Sequence, residues 1–396
     1  MEVAKRIRGD DRDITDEIIS RMHEYKTDLG EFVDREVEAR EILKEELGSV
    51  VEGGRITVLY GPKGCGKSTF FKVLSEAAEQ ASAKLDIMIV KRPEEAVQGS
   101  VLRLPKSFKD LAESIAKHIR DSQISPDQVT ITSTSTIFYI AFILASYVAS
   151  RLRRGRKILI VLDEARADSQ EHLGNFRQWL ESFANDLAEY NRDYSEKGGS
   201  IAVIALTSDA LVEETSYLVG EKVNWAVMWN LSRKASEKLI LQIGLHKKVA
   251  EELGISYKEA EELLWRLAGG NPRTLETIWK NGLKIWLKRR VIGRIRRFTR
   301  NLPTEMKDKA LDMISASLNK VDDMGWTDPS IWKALLKHNI IIYIADADAI
   351  SEIPKEPWIG EEFAFQIPAY YYALKAIARK RSWDISPEEV IREAMG

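Results

Sequence analysis

At 396 residues the chain exceeds one average domain, which excludes a lone small module and leaves room for two or three units with their own cores. With 59 basic and 61 acidic residues the formal net charge is -2, so any attraction to nucleic acid or anionic lipid has to come from local patches. The single cysteine, Cys65, excludes an internal disulfide, and the opening Met1-Glu2-Val3-Ala4-Lys5 lacks a signal-peptide apolar run, so a reducing, cytoplasmic setting is expected.

Residues 1–30 read as an N-terminal helical extension, with Ile14, Ile18, Ile19 and Met22 spaced along one side of a helix that reaches Tyr25. Phe32-Val33-Asp34-Arg35-Glu36 then leads into a helix through Leu47, with Asp34 as its N-cap and Gly48 as its stop. From there short apolar, β-branched runs at 56–60, 85–90, 158–162, 201–206 and 223–229 alternate with helical patterns. Such alternation predicts a parallel sheet covered on both faces, a three-layer α/β core over 31–230. The most apolar stretch, 137–149, is shorter than the roughly 20 residues that span a bilayer and is broken by Ser146; it reads as a buried helix, with no membrane partner.

Beyond Asn230 the pattern is helical, at 235–246, 257–267, 273–281 and in a basic helix that reaches Arg300, which predicts a helical lid over 231–302. Pro303 opens a last section, 303–396, with helices at 305–318 and 330–338 followed by strands at 340–343 and 363–367. That order suits a winged-helix-like domain, with Pro354, Pro357 and Gly360 in its wing or a loop and Tyr370, Tyr371 and Tyr372 in its core.

The chemistry concentrates in Gly61-Pro62-Lys63-Gly64-Cys65-Gly66-Lys67-Ser68-Thr69, a phosphate-binding loop set between a strand and a helix. Glycine at 61, 64 and 66 lets the backbone wrap phosphates, and successive N–H groups with the helix N-terminus supply a positive field. Lys67 is expected to reach the β- and γ-phosphates and Ser68 to ligate Mg2+. The run 157–162 delivers Asp163 to the same Mg2+ and places Glu164 to polarise an attacking water. Two further candidates follow. Ser208, after the 201–206 strand, either senses the γ-phosphate or caps the next helix; Arg273, in Gly269-Gly270-Asn271-Pro272-Arg273, either swings toward the nucleotide or sits in a solvated turn.

As a set, 32–36, the phosphate loop, Leu162-Asp163-Glu164 and 269–273 resemble the archaeal ATPase family, within the AAA+ and STAND group of nucleotide switches. The resemblance runs over roughly 30–300 and implies ATP and Mg2+ as ligands, with adenine contacts at Val33 and Arg35. In the family glycine is more frequent where this chain has Asp34. It also implies a homo-oligomer in which a neighbour offers an arginine finger, for which Arg151, Arg153, Arg154, Arg156 and Arg166 are candidates.

Between 284 and 300 the chain carries Lys284, Lys288, Arg289, Arg290, Arg294, Arg296, Arg297 and Arg300 with no acidic residue, anchored by Trp286 and Phe298. This is either a phosphate-binding ridge for double-stranded DNA or a solvated helix paired with Glu251-Glu252 and Glu261-Glu262. Two functions therefore stand open, a DNA-acting ATPase and a signalling switch whose C-terminal domain contacts protein. A small-molecule kinase suits the loop but not the long lid and tail. The histidines at 23, 118, 172, 246 and 338 lack metal-ligand spacing, and no zinc site, serine triad or thiol nucleophile is supported.

Overall fold

The computed structural model describes residues 14–48, 56–81, 84–91, 102–103, 141, 145, 156–163, 173–196, 198–208, 223–318, 320–323, 328–345 and 347–396. Its strands are β1 (Lys26–Thr27), β2 (Gly30–Glu31), β3 (Ile56–Tyr60), β4 (Leu85–Val90), β5 (Leu102–Arg103), β6 (Lys157–Leu162), β7 (Ser200–Leu206), β8 (Val223–Val227), β9 (Ile341–Tyr343), β10 (Asp348–Ala349) and β11 (Phe363–Phe365). The central sheet runs in the order β10-β8-β3-β7-β6-β4-β5, parallel throughout except for β5, which pairs antiparallel with β4.

Side-chain alternation along these strands sorts the core into two faces. Ile158, Ile160 and Leu162 of β6 face Leu180, Phe183 and Leu187 of a long helix, Leu173–Ser195. Leu159 and Val161 face the other way, onto Phe70, Phe71 and Leu74 of the helix Lys67–Gln80. That second face also holds the helix Glu36–Gly48 and the helix at 14–23, whose Ile18, Ile19 and Met22 are buried, so the N-terminal helix belongs to the main core. The result is the expected three-layer α/β arrangement. Of the apolar 137–149 stretch, Ala141 and Ala145 are described; both are helical and buried.

The lid comprises helices Arg233–Gln242, Leu245–Leu253, Tyr257–Ala268 and Pro272–Asn281. The expected single helix over 235–246 is broken because Gly244 sits left-handed at φ 65, a conformation that stops helical propagation. Ser256 and Glu259 form a reciprocal capping box at the third of these helices, and Asn271, followed by Pro272, caps the fourth. The basic segment is not a continuous α-helix either. Leu283–Trp286 passes into a π-helical stretch, Leu287–Ile292, before Gly293–Asn301 resumes the α geometry.

Helices Thr304–Ser317, Pro329–Lys337, Pro368–Lys380 and Pro387–Met395 share one apolar core with the lid, in which Leu263, Trp265, Phe298, Tyr371 and Val390 take part. β9 and β11 pair antiparallel, and between them the chain crosses to the central sheet, where β10 lies alongside β8. The return is fixed by Asp322, whose carboxylate accepts N–H bonds from Glu361 (2.8 Å), Glu362 (3.1 Å) and Phe363 (3.0 Å).

Asp328 caps Pro329–Lys337 by accepting from Ser330 N–H (2.9 Å) and Ile331 N–H (3.3 Å). The Lys309 ammonium, and then Ser330, hold its carboxyl well below the usual carboxylate range. A depressed folded-state value means stability that is present above the unfolded pKa and lost as pH falls through the folded one. Asp328→Ala is expected to cost about 1–2 kcal/mol. Asp328→Asn should keep the cap, with its deficit at neutral pH shrinking in acid; urea melts at the two pH values read this.

Candidate active site

β3 ends at Tyr60 and the chain turns at once into the loop that opens Lys67–Gln80. Gly61 passes so near β8's continuation that a Cβ there would lie 2.0 Å from the Met228 carbonyl oxygen, and Gly64, at φ 88, would clash with Arg273 Cβ at 2.6 Å. Neither position admits a side chain. Within the loop Cys65 N–H donates to Pro62 O at 3.1 Å. The Lys67 ammonium donates to Gly61 O at 3.0 Å and lies 3.6 Å from Cys65 Sγ, so its charge spans the loop from within.

β7 lies between β3 and β6, which brings three strand ends together. Ser68 Oγ donates to Asp163 Oδ1 at 2.7 Å. A hydroxyl and a carboxylate oxygen at the foot of a phosphate loop are the hard donors that Mg2+ favours, and the left-handed glycines leave loop amides for an anion. Thr207 is buried at the end of β7, and Ser208, half-buried beside it, lines the cavity over the loop. Glu164 lies outside the described residues, as do Arg151, Arg153, Arg154 and Arg166.

That cavity measures about 460 Å³, within the usual range of small-molecule clefts. Its phosphate end is formed by Lys63 through Thr69 with Lys72. Its apolar end is formed by Tyr25, Phe32, Val33, Leu231, Leu239 and Pro272, and Arg273 and Glu276 stand on the lid side. The hairpin of β1 and β2 supplies the remaining wall through Lys26, Thr27, Asp28, Leu29 and Glu31. The Asp28-Leu29-Gly30 turn, with Gly30 at φ 111, is the sequence signal for this hairpin.

One residue of the 32–36 segment differs from expectation. Asp34 does not cap the following helix; its carboxylate accepts from Ser232 N–H at 3.2 Å, at the start of the lid. Its backbone is left-handed at φ 64, which accounts for glycine at this position in the resembled family. Arg35 is 2% exposed. It pairs with Glu38 and donates to Cys65 O at 2.6 Å, so it borders the cavity while bracing the phosphate loop.

Arg273 N–H donates to Gly64 O at 3.3 Å, and the side chain lines the cavity. Arg156 makes two bonds to the buried Asp86, at 2.5 and 2.7 Å, where β4 and β6 begin, the end of the sheet away from the loop. A guanidinium so engaged is not free to reach a nucleotide.

Within the basic segment Lys288, Arg289, Arg290, Arg296, Arg297 and Arg300 are exposed. The wide π turn buries Leu287, Val291 and Ile292 and thereby leaves Lys288, Arg289 and Arg290 side by side on the surface. Arg294 faces inward, donating to His338 O (3.5 Å) and Asn339 O (3.4 Å) over the Tyr370 ring, and Arg296 pairs with Asp384 at 2.9 Å. Glu252 caps the segment's start at Leu283 and Lys284, and Glu262 binds Arg233 and Arg266. Among the described residues Lys288, Arg289, Arg290, Arg297 and Arg300 have no carboxylate partner. No group there could hold a metal through His, Cys, Asp and Glu alone, and no described helix is long and apolar enough to cross a membrane.

Among solved structures the chain is similar to Drosophila ORC bound to DNA, at 12% identity and TM-score 0.34 over 78% of this chain and 88% of that one. It is also similar to Aeropyrum pernix ORC1 in complex with DNA, at 14% identity and TM-score 0.33 over 88% and 93%. A point variant of Thermotoga maritima RuvB matches at 15% identity and TM-score 0.28 over 78% and 87%. No curated protein matches it. The family model for the ATPase domain predominantly from Archaea matches residues 32–278, more than half of the chain, and takes in the phosphate loop, the strand ends beside it and the lid turn at Arg273. The chain belongs to that ATPase family.

Proposed function

We propose that this chain binds ATP with Mg2+ in the cavity and hydrolyses it. The observation that carries this reading is the Ser68–Asp163 hydrogen bond at 2.7 Å beneath the phosphate loop, which sets two Mg2+-type oxygen ligands where the phosphates would end. When bound, the ion would neutralise charge on the β- and γ-phosphates. The chain's own part is positional and electrostatic: loop amides and Lys67 hold the phosphates, while Val33, Leu231 and Pro272 offer apolar contact to a base. Ser208 and Arg273 are assigned the terminal phosphate, a reading supported by both lining the cavity, one from the sheet and one from the lid. Glu164, next along from Asp163, is assigned the attacking water. Glu164→Gln is accordingly expected to retain ATP and to lose turnover by about 100-fold or more; a variant with wild-type phosphate release would remove Glu164 from this role.

The unpaired ridge favours double-stranded DNA as the partner over a protein. Five basic side chains without carboxylate partners among the described residues, in a chain of net charge -2, support reading the ridge as a local anion-binding surface. If DNA neither binds at low salt nor alters ATP turnover, the C-terminal part serves a protein partner and the chain acts as a nucleotide switch. On the ATPase reading the chain works as a homo-oligomer and a neighbouring copy supplies the finger, drawn from Arg151, Arg153, Arg154 and Arg166, since Arg156 is committed to Asp86. Sedimentation with and without ATP tests this.

A further inference from the structure

The phosphate loop is gripped from outside by Asn271 of the lid turn and by Gln366, with Asn230 behind them; neither Gln366 nor Asn230 belongs to the loop motif or to the motifs that carry the family resemblance. Lys63 has both main-chain groups engaged: its N–H donates to Gln366 Oε1 at 3.1 Å, and its carbonyl accepts from Asn271 Nδ2 at 3.2 Å. Asn271 Nδ2 also donates to Asn230 Oδ1 at 2.8 Å, and Asn230 Nδ2 donates to Gln366 O at 3.3 Å. Gln366 is 3% exposed, Asn230 5% and Asn271 1%. Three buried polar residues, after β8, in the lid turn and after β11, are thus linked by hydrogen bonds through side chains and the Gln366 carbonyl, and Asn271 and Gln366 close on a single loop residue. Because each would be costly to bury unpaired, the cluster holds together as a unit.

Gln366 is itself held. Its Nε2 donates to Asn339 Oδ1 at 3.0 Å, and the Asn339 carbonyl is an acceptor for Arg294, which lies in the same helix as Arg296 and Arg297. A continuous path of hydrogen bonds therefore runs Arg294, Asn339, Gln366, Lys63, from the base of the basic ridge to the phosphate loop.

We propose that Gln366 is a positioning residue for the phosphate loop, and that through it the C-terminal section and the nucleotide site each set the other's affinity for its ligand. This coupling rests on the ATP-site reading above. With Lys63 N–H committed to Gln366, the loop is held in its open, phosphate-ready shape, and the remaining loop amides are left for the anion. A nucleotide that moves Lys63 must move Gln366 with it. By linkage, a ligand on the ridge that shifts Asn339 changes ATP affinity by the same factor as ATP changes its own.

The test uses the full chain with two variants. Gln366→Met removes both polar atoms at similar volume; Asn339→Gly removes only the acceptor that orients Gln366, at a residue whose φ of 51 glycine accepts readily. Amide hydrogen exchange over 61–67 in nucleotide-free protein is expected to quicken about 5- to 10-fold in Gln366→Met and by less in Asn339→Gly, with exchange over 368–380 unchanged. ATP dissociation constants should rise by about the same factors. Loop exchange at the wild-type rate in both variants overturns the clamp, and so does an increase shared by 368–380, which would assign Gln366 to packing alone. If the loop loosens but ATP affinity is unchanged, the coupling is overturned while the site reading stands. If wild type binds no ATP, the site reading falls and the coupling with it, and the exchange arm alone decides whether Gln366 positions the loop.

Discussion

Lys67→Ala is expected to weaken ATP binding by about 100-fold and to abolish measurable turnover, with little change in fold. Lys67 is 8% exposed, and its ammonium makes its described polar contacts inside the loop, to Gly61 O and Cys65 Sγ. A charged hydrogen bond to phosphate in a cleft contributes about 1.5–3 kcal/mol, which is roughly 10- to 150-fold in affinity. A lysine aimed at charge that develops on the transferring phosphoryl group adds about 100-fold or more in rate. Equilibrium binding of ATP and phosphate release, measured on the same preparation, separate the two. Wild-type affinity in Lys67→Ala would mean that the cavity holds something other than a phosphate chain.

Replacing Lys288, Arg289, Arg290 and Arg297 together by glutamine is expected to lower the slope of log affinity for duplex DNA against log salt by about 3 to 4, since each phosphate contact contributes about 0.9. Affinity at low salt should fall by about 100-fold or more. These four are chosen because they are exposed and lack carboxylate partners among the described residues, whereas Arg296 is paired with Asp384 and Arg294 braces the turn at His338 and Asn339. Arg294→Gln should instead act on stability and on the Asn339–Gln366 contact. An unchanged salt slope in the fourfold variant would assign the ridge to solvent.

The site was most legible where chemistry imposes spacing. Glycines at 61, 64 and 66, a lysine and serine at the helix start, and an apolar run ending in Asp163 are set by the closeness of backbone to phosphate and by strand length, so local sequence suffices. Elements made by long-range pairing were hidden. β10 is two exposed residues whose only reason to be a strand is the free edge of β8. Asp34 carried the signature of an N-cap, but a left-handed backbone turned its carboxylate to Ser232. The π turn at Leu287–Ile292, which buries Leu287, Val291 and Ile292, has no local signature in the sequence. Gln366 did leave a trace, a lone amide in the apolar run Phe363-Ala364-Phe365-Gln366-Ile367; a polar group so placed must find a partner, though sequence does not say which.

On the proposed function, hydrolysis depends on Ser68 and Asp163 meeting beneath the loop, and single-turnover phosphate release from ATP by the wild-type chain tests this most directly. Release is expected with Mg2+ present, to stop when Mg2+ is chelated, and to return when it is restored. Release that continues at the same rate without a divalent ion, or ATP bound with Mg2+ and never cleaved, would contradict it.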